Sequence, residues 1–181
     1  IKRFKIKEEK LELAYYGYEV PKINKKFFKK NNDTIYVGFI GRFEIFKGVH
    51  SLIRAANLLK DKNIEFHIAG NGYLAEDLKK IAKGNKKIKF KGEVLNPIHF
   101  IKTIDILVVP SIREPLGLIN VEAGLCKVPV IASNIDGIPE VIKNNYDGIL
   151  INPDQKINLK EYRGQAPLPD FVISPESYKM T

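Results

Sequence analysis

The sequence predicts an α/β protein, a doubly wound, Rossmann-like parallel sheet with helices on both faces. Three observations carry that expectation. Short apolar, β-branched runs recur along the chain, and segments of helical spacing lie between them. A run such as Asp105-Ile106-Leu107-Val108-Val109-Pro110 has the pattern of a parallel strand buried on both faces and ended by proline. With 181 residues, 44% hydrophobic and 28% charged, the chain has the size and composition of one soluble domain with a proper core.

The elements follow in order. Residues 1–33 read as an interdomain linker or edge segment. They hold ten Lys/Arg and five Asp/Glu, so they carry +5 of the net charge of +9. Lys25-Lys26 and Lys29-Lys30 flank Phe27 and Phe28, a pattern that suits a solvated linker better than nucleic acid or peripheral contact with an anionic membrane. Residues 34–152 form the predicted domain. Ile35–Ile40 is its first strand, followed by a loop Gly41–Gly48 and a helix with Val49, Leu52, Ile53, Ala56 and Leu59 on one stripe. Strand Ile64–Ala69, turn Gly70-Asn71-Gly72 and a helix carrying Leu74, Leu78, Ile81 and Ala82 come next. Then follow strand Ile88–Gly92, a short helix 97–102, strand 105–110, helix 115–126, strand 130–132, a short helix 137–143 and strand Gly148–Ile151. Strands alternating with helices at this spacing demand right-handed crossovers and a sheet covered on both faces.

Beyond Asn152 the pattern stops. Pro153, Pro167, Pro169 and Pro175 leave residues 153–181 irregular. The chain starts at Ile1 and its only methionine is Met180, so it reads as an excised piece of a longer protein. No apolar run approaches the ~18 residues of a membrane span, and no signal peptide is visible. One cysteine, Cys126, allows no internal disulfide, which agrees with a reducing, cytoplasmic compartment.

Two stretches carry the chemistry. Strand 105–110 passes through Ser111–Glu114 into a helix whose first turn is expected to hold Pro115 and Gly117. Glu114 precedes that helix and Glu122 lies about two turns inside it, roughly 12 Å further along the axis. Side chains lean toward a helix N-terminus, so Glu122 points back to the ligand end. That spacing suits two hydroxyl clusters separated by a diphosphate, as in a nucleotide sugar. In the first loop, Arg42 and Lys47 lie beside a helix N-terminus, where two cations and free N–H groups can hold a diphosphate. Taken alone, each would be an ordinary surface residue.

Here the chain resembles the GT-B retaining glycosyltransferases of the glycogen-synthase and glycosyltransferase-4 type. Their E-x7-E signature is matched by Glu114 and Glu122 within Glu114-Pro115-Leu116-Gly117-Leu118, and their glycine-arginine and lysine-glycine pairs by Gly41-Arg42 and Lys47-Gly48. The resemblance runs from about Thr34 to Asn152 and covers only the donor-binding domain. It implies that Arg42 and Lys47 stabilise charge developing on the diphosphate and that Glu114, with the N–H groups of Leu116, Gly117 and Leu118, faces sugar and phosphate. It also implies that Glu122 binds the ribose, that Gly70, Asn71 and Gly72 approach the donor, and that Val94 and Leu95 after Glu93 contact the base. The donor would be a UDP-, GDP- or ADP-sugar. The acceptor, a glycan or lipid-linked sugar, would be held by an amino-terminal domain outside this sequence, at the inner face of the membrane. The family often has glycine where Lys127 stands, a position that commonly takes the left-handed conformation.

Other readings compete. Gly70-Asn71-Gly72-Tyr73-Leu74-Ala75 fits the dinucleotide pattern G-x-G-x-x-A, with Glu93 downstream, and would make this an NAD-binding enzyme. A GT-B sugar-nucleotide epimerase and a non-catalytic nucleotide-sugar-binding module would share the same motifs. His50, His67 and His99 lack ligand spacing, so neither a metal nor another resident cofactor is expected.

Overall fold

The computed structural model describes residues 7–14, 17 and 33–153. Six strands, β1 (Ile35–Ile40), β2 (Ile64–Ala69), β3 (Ile88–Gly92), β4 (Ile106–Val109), β5 (Val130–Ser133) and β6 (Gly148–Ile151), form one sheet. Between them run α1 (Val49–Leu58), α2 (Ala75–Ala82), α3 (Pro97–Ile101), α4 (Leu118–Leu125) and α5 (Ile138–Val141). All pairings are parallel, in the order β3-β2-β1-β4-β5-β6. The order reverses direction between β1 and β4, and crevices that bind ligands open at such a switch point.

Alternation along each strand divides the core in two. From β1, Val37 and Phe39 join Leu52, Ile53 and Leu78 under α1 and α2. Tyr36 and Ile40 face the other way, toward Phe100, Ile101, Leu107 and Ala123 under α3 and α4. The central strands β1 and β4 are therefore packed on both faces, which is why neither carries a charged residue. At one edge, β3 carries Lys89 and Lys91, charges that discourage pairing with another chain. Helix α3 starts by a local rule: Asn96 Oδ1 accepts from His99 N at 3.1 Å and Pro97 takes the first turn.

The helix after β4 departs from expectation. Its first residue is Leu118, and Gly117 is the residue before it, with φ 75°. Pro115 and Gly117 are thus outside the first turn, and Glu122 is the fifth helical residue, little more than one turn in. The cause is tertiary. Glu114 N donates to Asp136 Oδ2 at 2.9 Å, and Gly137 N donates to Glu114 O at 3.3 Å. With both main-chain groups held by the loop after β5, the chain needs an elbow before it can coil.

At its other end α4 closes as the resemblance implied. Lys127 has φ 59°; its N–H donates to Gly124 O, and that of Val128 to Ala123 O, the paired bonds of a Schellman ending. The expectations for the basic cluster 25–30 and for the proline-containing stretch after Pro153 lie outside the described residues. No helix among the described residues is long and apolar enough to cross a membrane.

Candidate functional site

Two loops meet over the crevice between β1 and β4. The first leaves Ile40, makes a 3-10 turn at Ile45–Lys47 and enters α1 through Gly48. The second runs from Pro110 to Gly117. They are stitched together by Phe46 O, which accepts from Ile112 N at 2.7 Å and Arg113 N at 3.4 Å. Gly48 allows the closest approach. Its φ is 65°, and a Cβ there would stand 1.8 Å from Pro110 O, so only glycine fits.

This stitching brings Lys47 to Glu114. Lys47 Nζ donates to Glu114 Oε2 at 2.6 Å, with the two side chains only 24% and 10% exposed. Ser111 Oγ, fully buried, donates to the same oxygen at 3.2 Å. A cavity of about 130 Å³ opens beside the pair, floored by Val108 and Val109 and walled by Ser111, Gly117 and Leu118. A cation, a carboxylate and the start of an eight-residue helix thus share one small recess. Such a recess can accept an anion at the lysine and a hydroxyl at the carboxylate.

The remaining candidates are more scattered. Arg42 is 74% exposed and pairs with Glu44 at 2.8 Å, away from the recess. Gly41 is half-buried at the end of β1, where its N–H donates to Ala69 O. Pro115 is exposed and Leu116 half-buried at the elbow. Glu122 is half-exposed, and it does not line the recess. Val94 packs against the second core, while Leu95 is fully exposed.

Gly70 and Gly72 have a structural occupation. Added Cβ atoms would stand 1.9 Å from Gly41 O and 2.6 Å from Phe43 O, and Phe43 N donates to Asn71 O at 2.7 Å. The turn after β2 is therefore packed against the turn after β1. It does not flank the switch point, where a dinucleotide fingerprint would lie.

Several residues that hold the site gave little signal in sequence. Ser111 and Asp136 both fix Glu114, one by its carboxylate and one by its main chain. The Glu114 N–H, then the Arg113 guanidinium, holds the Asp136 carboxyl below the usual range. Asp136 has φ 44° and stands before Gly137, and an Asp-Gly pair between strand and helix is a turn signal that could have found it. Burial raises the Cys126 thiol above its ordinary range, against a nucleophilic role. Among the described residues no group of three or more His, Cys, Asp or Glu is placed to hold a metal.

The family described as Glycosyl transferases group 1 matches residues 21–163. CapH of Staphylococcus aureus, a capsular polysaccharide biosynthesis glycosyltransferase, is 35% identical over 145 residues, covering 76% of this chain and 40% of the relative. The crystal structure of Anabaena HepE in complex with UDP-glucose superposes with a TM-score of 0.60 at 25% identity, over 67% of this chain and 35% of that one. The C-terminal domain of the group 1 protein LpcC from Francisella tularensis gives 0.58 at 27% identity, over 66% of this chain and 68% of that domain. The chain spans less than half the length of the curated relatives it matches.

Proposed function

Because the chain belongs to the group 1 glycosyl transferases, we propose that it is the donor-binding domain of a retaining GT-B enzyme that transfers sugar from a nucleoside-diphosphate sugar. The carrying observation is the recess at the switch point, where Lys47, Ser111 and Glu114 converge beside the start of α4. In this reading the diphosphate lies against Lys47 and the α4 N-terminus, and Arg42 swings in from Glu44 to share its charge. Bond cleavage leaves negative charge on the diphosphate, which these cations stabilise where it grows. Glu114 receives a hydroxyl of the transferred sugar, Glu122 the ribose, and Val94 with Leu95 the base. The sugar nucleotide is a substrate, and the scheme needs no resident cofactor. A second domain beyond these residues holds the acceptor, a glycan or lipid-linked sugar.

A thermal-shift panel of UDP, GDP, ADP and NAD tests this, since a ligand bound only by the native state raises Tm. One nucleoside diphosphate is expected to stabilise the protein and NAD is not; stabilisation by NAD alone would overturn the reading. Calorimetric titration then isolates Glu122. Glu122→Gln should weaken the ribonucleotide yet leave its 2′,3′-dideoxy analogue almost unaffected. Equal losses for both ligands would make Glu122 structural.

A further inference from the structure

Asn120 sits unsatisfied beside Gly117, one wall of this recess. It is 1% exposed, yet neither Oδ1 nor Nδ2 makes a hydrogen bond among the described residues. An apolar side chain of similar size would avoid that desolvation cost. Its surroundings are informative. Asn120 Nδ2 lies 2.5 Å from the point where a Cβ on Gly117 would stand, and Glu114 Cγ lies 3.1 Å from the same point. The amide and the arm of Glu114 therefore face each other across a glycine that leaves the gap between them open.

Glu114 can use that gap only by turning its side chain, because its main chain is bonded on both sides to Asp136 and Gly137. In the free protein its Oε2 is held by Lys47 and Ser111. An anion arriving beside Lys47 competes for the same ammonium group. A mostly buried carboxylate that loses its cation without a replacement donor is strongly destabilised.

We propose that Asn120 is a positioning residue, whose amide is the second seat of the Glu114 carboxylate, taken when Lys47 turns to the phosphate of a ligand. The identity of that ligand rests on the nucleotide-sugar reading; the seat itself belongs to the free protein. The exchange moves no proton and breaks only hydrogen bonds. It keeps Glu114 hydrogen-bonded throughout and leaves it aimed along the wall formed by Gly117. The buried amide is then a cost of the free state that binding removes.

The first test needs no ligand. Urea midpoints are measured for wild type, Asn120→Leu, Lys47→Met and the double variant, then repeated with Glu114→Gln throughout. Asn120→Leu alone should leave the midpoint unchanged or raise it, because it removes an unsatisfied amide. In the Lys47→Met background it should lower the midpoint, since Glu114 then depends on Asn120. Asn120→Asp, equal in size but without a donor, should lower it further. With Glu114→Gln the difference between backgrounds should vanish. Equal effects of Asn120→Leu in both backgrounds would overturn the proposal. Titration with UDP follows: Asn120→Leu should lose at least about tenfold in affinity, the loss of a hydrogen bond to a charged group. That loss should disappear in the Glu114→Gln background. An unchanged UDP affinity, or the same loss in the Glu114→Gln background, would overturn the link to the ligand. A wild type that shows the midpoint coupling but binds none of UDP, GDP and ADP would refute the nucleotide-sugar reading and leave the seat standing.

Discussion

The loops after β3 and β4 leave the same edge of the sheet and are built in opposite ways. After β4, nearly every polar group is engaged: Ile112 N and Arg113 N with Phe46 O, Glu114 N with Asp136, and the Glu114 carboxylate with Lys47 and Ser111. After β3, Glu93 and Leu95 are exposed, and the next local bond is the Asn96 cap of α3. One wall of the proposed donor site thus stands ready-made. The other would gain its contacts only when a ligand covers it. A preformed wall saves ordering entropy where charge must be aligned, while an open one leaves the choice of base to a few apolar contacts.

The ready-made wall is tightest at Gly48. Gly48→Ala puts a methyl group into Pro110 O at a left-handed position, so it should cost ~3 kcal/mol or more in urea unfolding. A cost below about 1 kcal/mol would mean that the two loops are not clamped together.

Acid should loosen the same region. His50, fully buried at the start of α1, has its pKa lowered from 6.5 to about 4 by burial and then by the charge of Arg54. Its neutral form is the one the fold holds. Its contribution is therefore complete above pH 6.5 and is lost as pH falls toward 4, on the order of 3 kcal/mol in all. Burial lowers the His67 pKa as well, and it acts in the same direction. His50→Gln should flatten the stability profile between pH 6.5 and 4; an unchanged slope would assign the loss to other groups.

Lys47 and Arg42 carry the contrast into a single loop. Lys47→Ala should cost about 2 kcal/mol of stability, below the range for a fully buried pair because Lys47 retains some exposure. Arg42→Ala should stay within about 0.5 kcal/mol. Both should weaken a nucleoside diphosphate at least roughly tenfold and the bare nucleoside far less. An Arg42→Ala protein that binds the diphosphate at full strength would remove Arg42 from the site.

The smallest effect belongs to the open loop. Leu95→Ser should leave the urea midpoint unchanged, since Leu95 is fully exposed, and lower nucleotide affinity roughly fivefold. Equal binding by both proteins would show that the base does not rest there.

Much of this protein was legible before its structure. The strands Ile35–Ile40, Ile64–Ala69, Ile88–Gly92 and Gly148–Ile151 match their expected bounds, because central strands write themselves as apolar runs and the edge strand β3 as apolar residues alternating with lysine. The two motifs that resembled a glycosyltransferase family agree with the family match over residues 21–163. The left-handed Lys127 was also readable, from the glycine that the resembled family often has at that position.

What sequence could not decide was whatever depends on residues far apart in the chain. The start of α4 moved from Pro115 to Leu118 because the loop after β5 takes both main-chain groups of Glu114. Gly70 and Gly72 suggested a dinucleotide turn, yet each lies against the loop after β1. Lys47 meets Glu114 across 67 residues, and Asn120 faces the arm of Glu114 across the space left by Gly117. Period and propensity are local quantities and write the elements. The close approach of loops at the sheet edge is set by packing, and it alone determined which polar groups became partners.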